Sequence, residues 1–256
     1  MRIFIKKNYH EVSIAAADEI NQLVEQKPDC VLGLATGLSP LGAYRELILR
    51  NKKGLDLSRV TTFNLDEYWG LGMNPHIPYP KDQSYARFMH EEFFNHINIQ
   101  KERIHLLDGR APDPDDQCVE YERQITQAGG IDLQLLGIGR TGHLAFNEPG
   151  SPFDSRTRIV NLSPETREDN YKLFYKKSGS SREEMPTQAV SMGIGTILEA
   201  RSLLILATGR DKARIVVKAL EGEVTPEVPA SIIQIFKGQT TMILDRESAS
   251  GLINPD

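Results

Sequence analysis

Two short stretches of this 256-residue chain carry side chains able to move protons, in settings that would tune them. In FNLDEYWGLG, residues 63–72, an apolar run ends directly in Asp66 and Glu67. A carboxylate there, partly desolvated by Tyr68 and Trp69, would have its pKa raised enough to act as a base. The plainer alternatives are a solvated acidic loop, or Asp66 capping the next turn, with Trp69 serving only to pack. In GIGRTGHLAFNEPG, residues 137–150, a glycine-lined turn presents His143, followed by Asn147 and Glu148. A histidine with a carboxylate nearby is an acid/base pair for neutral pH, unless His143 is simply structural.

The first six residues of that second stretch fit G-x-G-x-x-G, the dinucleotide-binding fingerprint, and an apolar run precedes them. The fingerprint requires a long helix after its last glycine, yet Pro149 follows soon after Gly142 and leaves little room for one. Nor does a strand ending in an acidic residue follow about twenty residues on, where a ribose would need it. The glycines therefore serve a loop that presents His143, and no nucleotide cofactor is expected.

Two further turns suit an anion. LATGLSPLGAYREL, residues 34–47, is a strand, the turn Thr36, Gly37, Leu38 and Ser39, and a helix start near Pro40. Free N–H groups and the helix dipole at such a start favour negative charge. The lysine of a Walker A loop is missing, and an ordinary capped turn is the competing reading. LLILATGRDKARIV, residues 203–216, is a second strand and Thr-Gly turn, with Lys212 placed to neutralise a phosphate as a point charge.

The elements that must position these groups alternate along the chain. Strands are expected at residues 2–5, 30–35, 60–64, 103–107, 131–136, 202–208 and 240–244. Helices are expected at 11–26, 40–51, 83–96, 115–127 and 211–220. This alternation predicts an α/β, three-layer, Rossmann-like fold: a mostly parallel open sheet with helices on both faces, in one domain over residues 1–256. Ligands of such sheets bind beyond the carboxyl ends of the strands, where these stretches fall.

Composition narrows the function class. The chain is 39% hydrophobic and 25% charged with a net charge of -5, an ordinary globular balance without a basic footprint for nucleic acid. No apolar stretch is long enough to span a bilayer, and the N-terminus lacks a signal-peptide pattern. Cys30 and Cys118 make no disulfide framework, and the cytoplasm is the expected compartment. No His/Cys cluster has metal-ligand spacing, so no metal is expected; a homo-oligomer is compatible with such a chain.

Taken in order, FNLDEYWGL, GIGRTGHLAFNEPGSPFDSRTR, MGIGTIL and ATGRDKA make the chain resemble the glucosamine-6-phosphate deaminases from about Cys30 to the C-terminus. The GHLAFNEP segment separates it from the 6-phosphogluconolactonases, which share the fold but carry GHTASLFP-like sequences there. The resemblance implies conversion of an amino-sugar phosphate and water to fructose 6-phosphate and ammonia, in amino-sugar catabolism. On this chain it makes Asp66 the base that shifts a proton between C2 and C1. His143 becomes the ring-opening acid/base, and Glu148 its carboxylate partner. The turn at Thr36, Gly37, Leu38 and Ser39, together with Lys212, matches the phosphate-binding positions.

Three positions depart from the family pattern. Thr141 stands where the family usually has Asp or Asn beside the catalytic histidine, so it can hydrogen-bond but adds no charge. Lys172 replaces an Arg that contacts phosphate in many members, keeping the charge without the bidentate fork. The loop after Trp69 is longer than usual, which leaves a galactosamine 6-phosphate preference open. Activation by N-acetylglucosamine 6-phosphate is not expected, because Val160 replaces the usual Lys near Arg158. The competing functions are a lactonase on the same fold and a sugar-phosphate sensor, the latter weakened by the lack of a DNA-binding segment.

Overall fold

The computed structural model describes residues 1–72, 76, 83–172, 179 and 181–253. Most of the long loop after Trp69 (73–75 and 77–82) lies outside the described residues. The chain opens with β1 (Arg2–Lys6), α1 (Tyr9–Gln26), β2 (Val31–Leu34), α2 (Leu38–Asn51) and β3 (Thr61–Asn64). It continues through β4 (Asp66–Tyr68), α3 (Tyr85–Glu92), β5 (Ile104–His105), α4 (Pro114–Gln127) and β6 (Leu133–Gly137). Then follow β7 (Arg158–Asn161), α5 (Pro164–Asn170), β8 (Gln188–Ser191) and α6 (Ile194–Leu198). Finally come β9 (Ser202–Ala207), α7 (Ala213–Glu221) and β10 (Gln239–Asp245).

Seven strands form one parallel sheet in the order β1-β10-β9-β6-β2-β3-β5. Its central strands are apolar because both faces are covered, while the edge strand β1 stays largely exposed. In β9, Leu204 and Leu206 face a layer with α1, α2 and α3, while Leu203 and Ile205 face the opposite layer with α4, α6 and α7. The helices match those faces: α1 buries Val12, Ala16, Ile20 and Val24 at four-residue spacing. Their starts are capped by local chemistry. Asn8 accepts from the Glu11 N–H, Asp113 from Asp115 and Asp116, and Ser163 from Thr166.

Strand succession runs outward from β2 through β3 to β5, and from β6 the other way through β9 to β10. The reversal falls between β2 and β6, so the loops leaving these two strands splay apart and open a crevice. One is the Thr36 turn and the other the glycine loop of His143.

The stretch from Asp66 onward is not a loop. Leu65 ends the run of β3, and the chain passes straight into β4, which pairs antiparallel with β8 in a second sheet of order β4-β8-β7. Asp66 therefore sits at the joint between two sheets, a far more rigid place than a strand-end loop. The segment at residues 103–107 pairs only at Ile104 and His105. Lys212 precedes α7, in a 3-10 turn over Arg210–Lys212.

Candidate active site

Asp66 is buried and lines a cavity of about 150 Å³ together with Thr36, Gly139, His143 and Tyr85. Burial, then the charge of neighbouring Glu67, pushes its carboxyl up to about 8, although a hydrogen bond from the Thr36 hydroxyl works the other way. Glu67 turns its side chain to the opposite side. It accepts hydrogen bonds from the N–H groups of Tyr68 (2.8 Å), Tyr85 (2.9 Å) and Ala86 (2.9 Å), and from the Ser84 hydroxyl (2.8 Å). Burial still raises it to about 7. Glu67 thus pins the start of α3 beside Asp66 and brings Tyr85 to the cavity wall. No signal in the sequence separated its role from that of Asp66, because its three partners at the start of α3 lie 17 to 19 residues further on.

His143 is held from one side. Its Nδ1 lies 2.9 Å from Thr141 Oγ1, 3.4 Å from Thr166 Oγ1 and 3.6 Å from Glu148 Oε2. Thr141 Oγ1 is also 3.4 Å from Glu148 Oε2 and donates to it. Three oxygens around Nδ1 favour a proton there, which leaves Nε2 as the working atom. Burial opposes the charge of Glu148, but the nearby His143 imidazole, the Thr166 hydroxyl and the Ser163 N–H outweigh it and hold the carboxyl at about 2.

The glycine loop exists to fit this ring. A Cβ on Gly139 would lie 2.0 Å from His143 Nε2, so only glycine lets the imidazole lie over the backbone. Gly142 turns the chain with φ +90°. Asn147 is fully buried and donates to the carbonyls of Leu144 (2.9 Å) and Met192 (2.8 Å), while accepting from Arg158 (2.9 Å). It ties the loop down from behind, which sets Glu148 against His143.

The turn and lysine expected to suit an anion border the same cavity. Leu38, Ser39 and Lys212 line both the small cavity and a wider one of about 940 Å³. Thr36 and Gly37 border the small one, and Gly37 (φ +109°) caps α2 without a side-chain hydrogen bond. Lys212 donates to the Ile138 carbonyl (3.0 Å), and burial lowers its pKa. Lys172 borders only the wider cavity, paired with Glu168 at 3.2 Å. Beside it Arg140 forms a bidentate pair with Asp169. Sequence reasoning singled out neither Arg140 nor Thr166, although both border what it found. Among the described residues no cluster of three or more His, Cys, Asp or Glu is placed to hold a metal.

With the geometry in view, known proteins give a consistent comparison. The family model described as glucosamine-6-phosphate isomerases/6-phosphogluconolactonase matches residues 6–242. The glucosamine-6-phosphate deaminase of Clostridium botulinum (strain Kyoto / Type A2) is 47% identical over 255 residues, covering 98% of this chain and 99% of that protein. The enzyme of the same name from Clostridioides difficile (strain 630) is 46% identical, covering 100% and 98%. The solved structure of a monomeric glucosamine-6-phosphate deaminase superposes with a TM-score of 0.90 at 40% identity, covering 98% of this chain and 100% of that one. A 6-phosphogluconolactonase from Trypanosoma cruzi shares the fold, with a TM-score of 0.75 at 20% identity, covering 99% and 97%.

Proposed function

The chain belongs to the family of glucosamine-6-phosphate isomerases and 6-phosphogluconolactonases, and on that premise we propose that it converts glucosamine 6-phosphate and water into fructose 6-phosphate and ammonia. One observation carries this reading. A buried carboxylate of raised pKa and the imidazole of a His143–Thr141–Glu148 chain line one cavity that the Thr36–Ser39 turn and Lys212 also border.

The sugar phosphate lies with its phosphate on the turn of residues 36–39 and on Lys212, with Lys172 nearby in the wider cavity. This remote contact positions the sugar without taking part in the chemistry. His143 Nε2 takes the proton of the anomeric hydroxyl and returns one to the ring oxygen, opening the ring, while ionised Glu148 balances the imidazolium. Asp66 then removes the C2 proton as the C1 carbonyl oxygen takes one from water, giving an enolamine. The same proton goes back to C1, leaving an imine at C2 that water hydrolyses to the ketone and ammonia. A lactonase needs no group that ferries a proton between adjacent carbons, whereas a desolvated carboxylate suits that task.

We read residues 1–256 as one domain acting in the cytoplasm in amino-sugar catabolism. The family match over residues 6–242 and two free, buried cysteines support this. An ammonia-release assay with glucosamine, galactosamine and mannosamine 6-phosphates tests the function, and glucosamine 6-phosphate is the expected substrate. Asp66→Asn should bind sugar phosphate yet lose roughly 10²- to 10⁴-fold in kcat, the range general acid–base groups supply. Normal turnover by that variant would remove Asp66 as the base. Hydrolysis of 6-phosphogluconolactone without ammonia release would replace the deaminase reading.

A further inference from the structure

The start of α2 is an unusual helix end. Its N-cap, Gly37, has positive φ and no side-chain hydrogen bond, and Pro40 contributes no N–H to the first turn. An uncapped first turn frays readily. Here the neighbouring helix supplies the missing restraint. Tyr9 Oη donates to the Leu38 carbonyl at 2.7 Å and accepts from the Gly42 N–H at 2.8 Å. These are the two groups that an α-helix pairs with each other across its first turn.

The approach is built into the packing. A Cβ on Gly42 would lie 2.1 Å from Ser13 Oγ and 3.0 Å from Tyr9 Oη, and Ser13 in turn donates to the Tyr9 carbonyl at 2.8 Å. Tyr9, Leu38 and Ser39 all border the wide cavity that leads to the catalytic one.

We propose that the Tyr9 hydroxyl is a positioning residue for the substrate's phosphate, stapling the first turn of α2 in place of a side-chain cap. A side-chain cap would occupy the first N–H groups of the helix. The staple uses Leu38 O and Gly42 N–H instead, and does not touch the Leu38 and Ser39 N–H groups that face an anion. The inference rests on the reading that phosphate docks at residues 36–39. Tyr9 acts on binding alone, because it touches neither Asp66 nor His143.

Tyr9→Phe removes one oxygen from a residue that is 38% exposed, so the fold should survive. The test measures KM and kcat for ammonia release, and by calorimetry the Kd of inorganic phosphate, in wild type and Tyr9→Phe. KM and the phosphate Kd should both rise about five-fold once both hydrogen bonds of the hydroxyl to the turn are lost, with kcat unchanged. Unchanged KM and Kd, or a loss confined to kcat, would overturn the proposal. If the wild type releases no ammonia, the phosphate Kd still decides. A weaker Kd in Tyr9→Phe upholds the staple while the deaminase reading falls, and an equal Kd, or no phosphate binding by the wild type, rejects the staple.

Discussion

Nδ1 of His143 faces three oxygens, and the nearest belongs to a threonine. The Thr141 hydroxyl accepts from Nδ1–H and donates to Glu148, passing on the orientation of the carboxylate without adding charge. The full negative charge stands 3.6 Å away, beyond hydrogen-bond reach. Thr141→Asp would place a second carboxylate against Nδ1 and favour the imidazolium. Its pH–rate profile for ammonia release should therefore shift to higher pH relative to wild type, because more alkaline solution is needed to free the ring. Superimposable profiles for the two proteins would show that the oxygen at position 141 orients the ring and nothing more.

At the scale of elements, α3 hangs from one side chain. Glu67 holds the start of that helix through three hydrogen bonds, from Ser84, Tyr85 and Ala86, and its charge adds to burial in raising the neighbouring Asp66. Glu67→Gln sets an amide NH₂ against backbone donors, which costs about 2 kcal/mol for a buried hydrogen bond to a charged group. In a chain this size that corresponds to a fall of about 4–8 °C in Tm. It also removes the charge that raises Asp66. In the proposed role Asp66 must be ionised to accept the C2 proton, so wild-type kcat/KM should climb with pH through about 8. In Glu67→Gln the same limb should lie at lower pH. A limb that stays put, in a variant that has lost stability, would confine Glu67 to supporting the helix. These partnerships also mark where sequence reading stops. The apolar runs of β2, β6, β9 and β10 announce themselves in a few consecutive residues. So do the two Thr-Gly turns and the glycine loop. The second sheet does not: β4 is three residues long, and its partner β8 lies more than a hundred residues away. Thr166 reaches His143 across 23 residues, from a helix that gives no local sign of the contact.

Across the whole molecule, the sheet reversal between β2 and β6 fixes where the crevice opens, and the second sheet closes its side by delivering Asp66 buried. That delivery has a cost in stability with a defined pH dependence. The Asp66 pKa is about 8 in the folded chain, against about 3.9 for an unfolded aspartate. A carboxyl whose pKa is raised by folding supports the fold fully below the unfolded value, and that support is lost as pH rises through the folded value. From about pH 4 to about pH 8 the unfolded chain gains by ionising this carboxyl while the folded chain keeps it neutral, so the penalty on folding grows with pH, and above about pH 8 it is complete. Asp66→Asn keeps the shape and cannot ionise. The difference in Tm between Asp66→Asn and wild type should therefore grow in favour of the variant from pH 5 to pH 8 and level off beyond. In the proposed mechanism the same substitution removes the proton carrier, so stability and turnover should move in opposite directions, as expected where an active site holds a group against its solvation preference. Thermal melts of both proteins at pH 5, 6.5, 8 and 9 check this. A Tm difference that stays flat across the series would mean that Asp66 is hydrated in the folded enzyme, and the raised-pKa base would have to be abandoned with it.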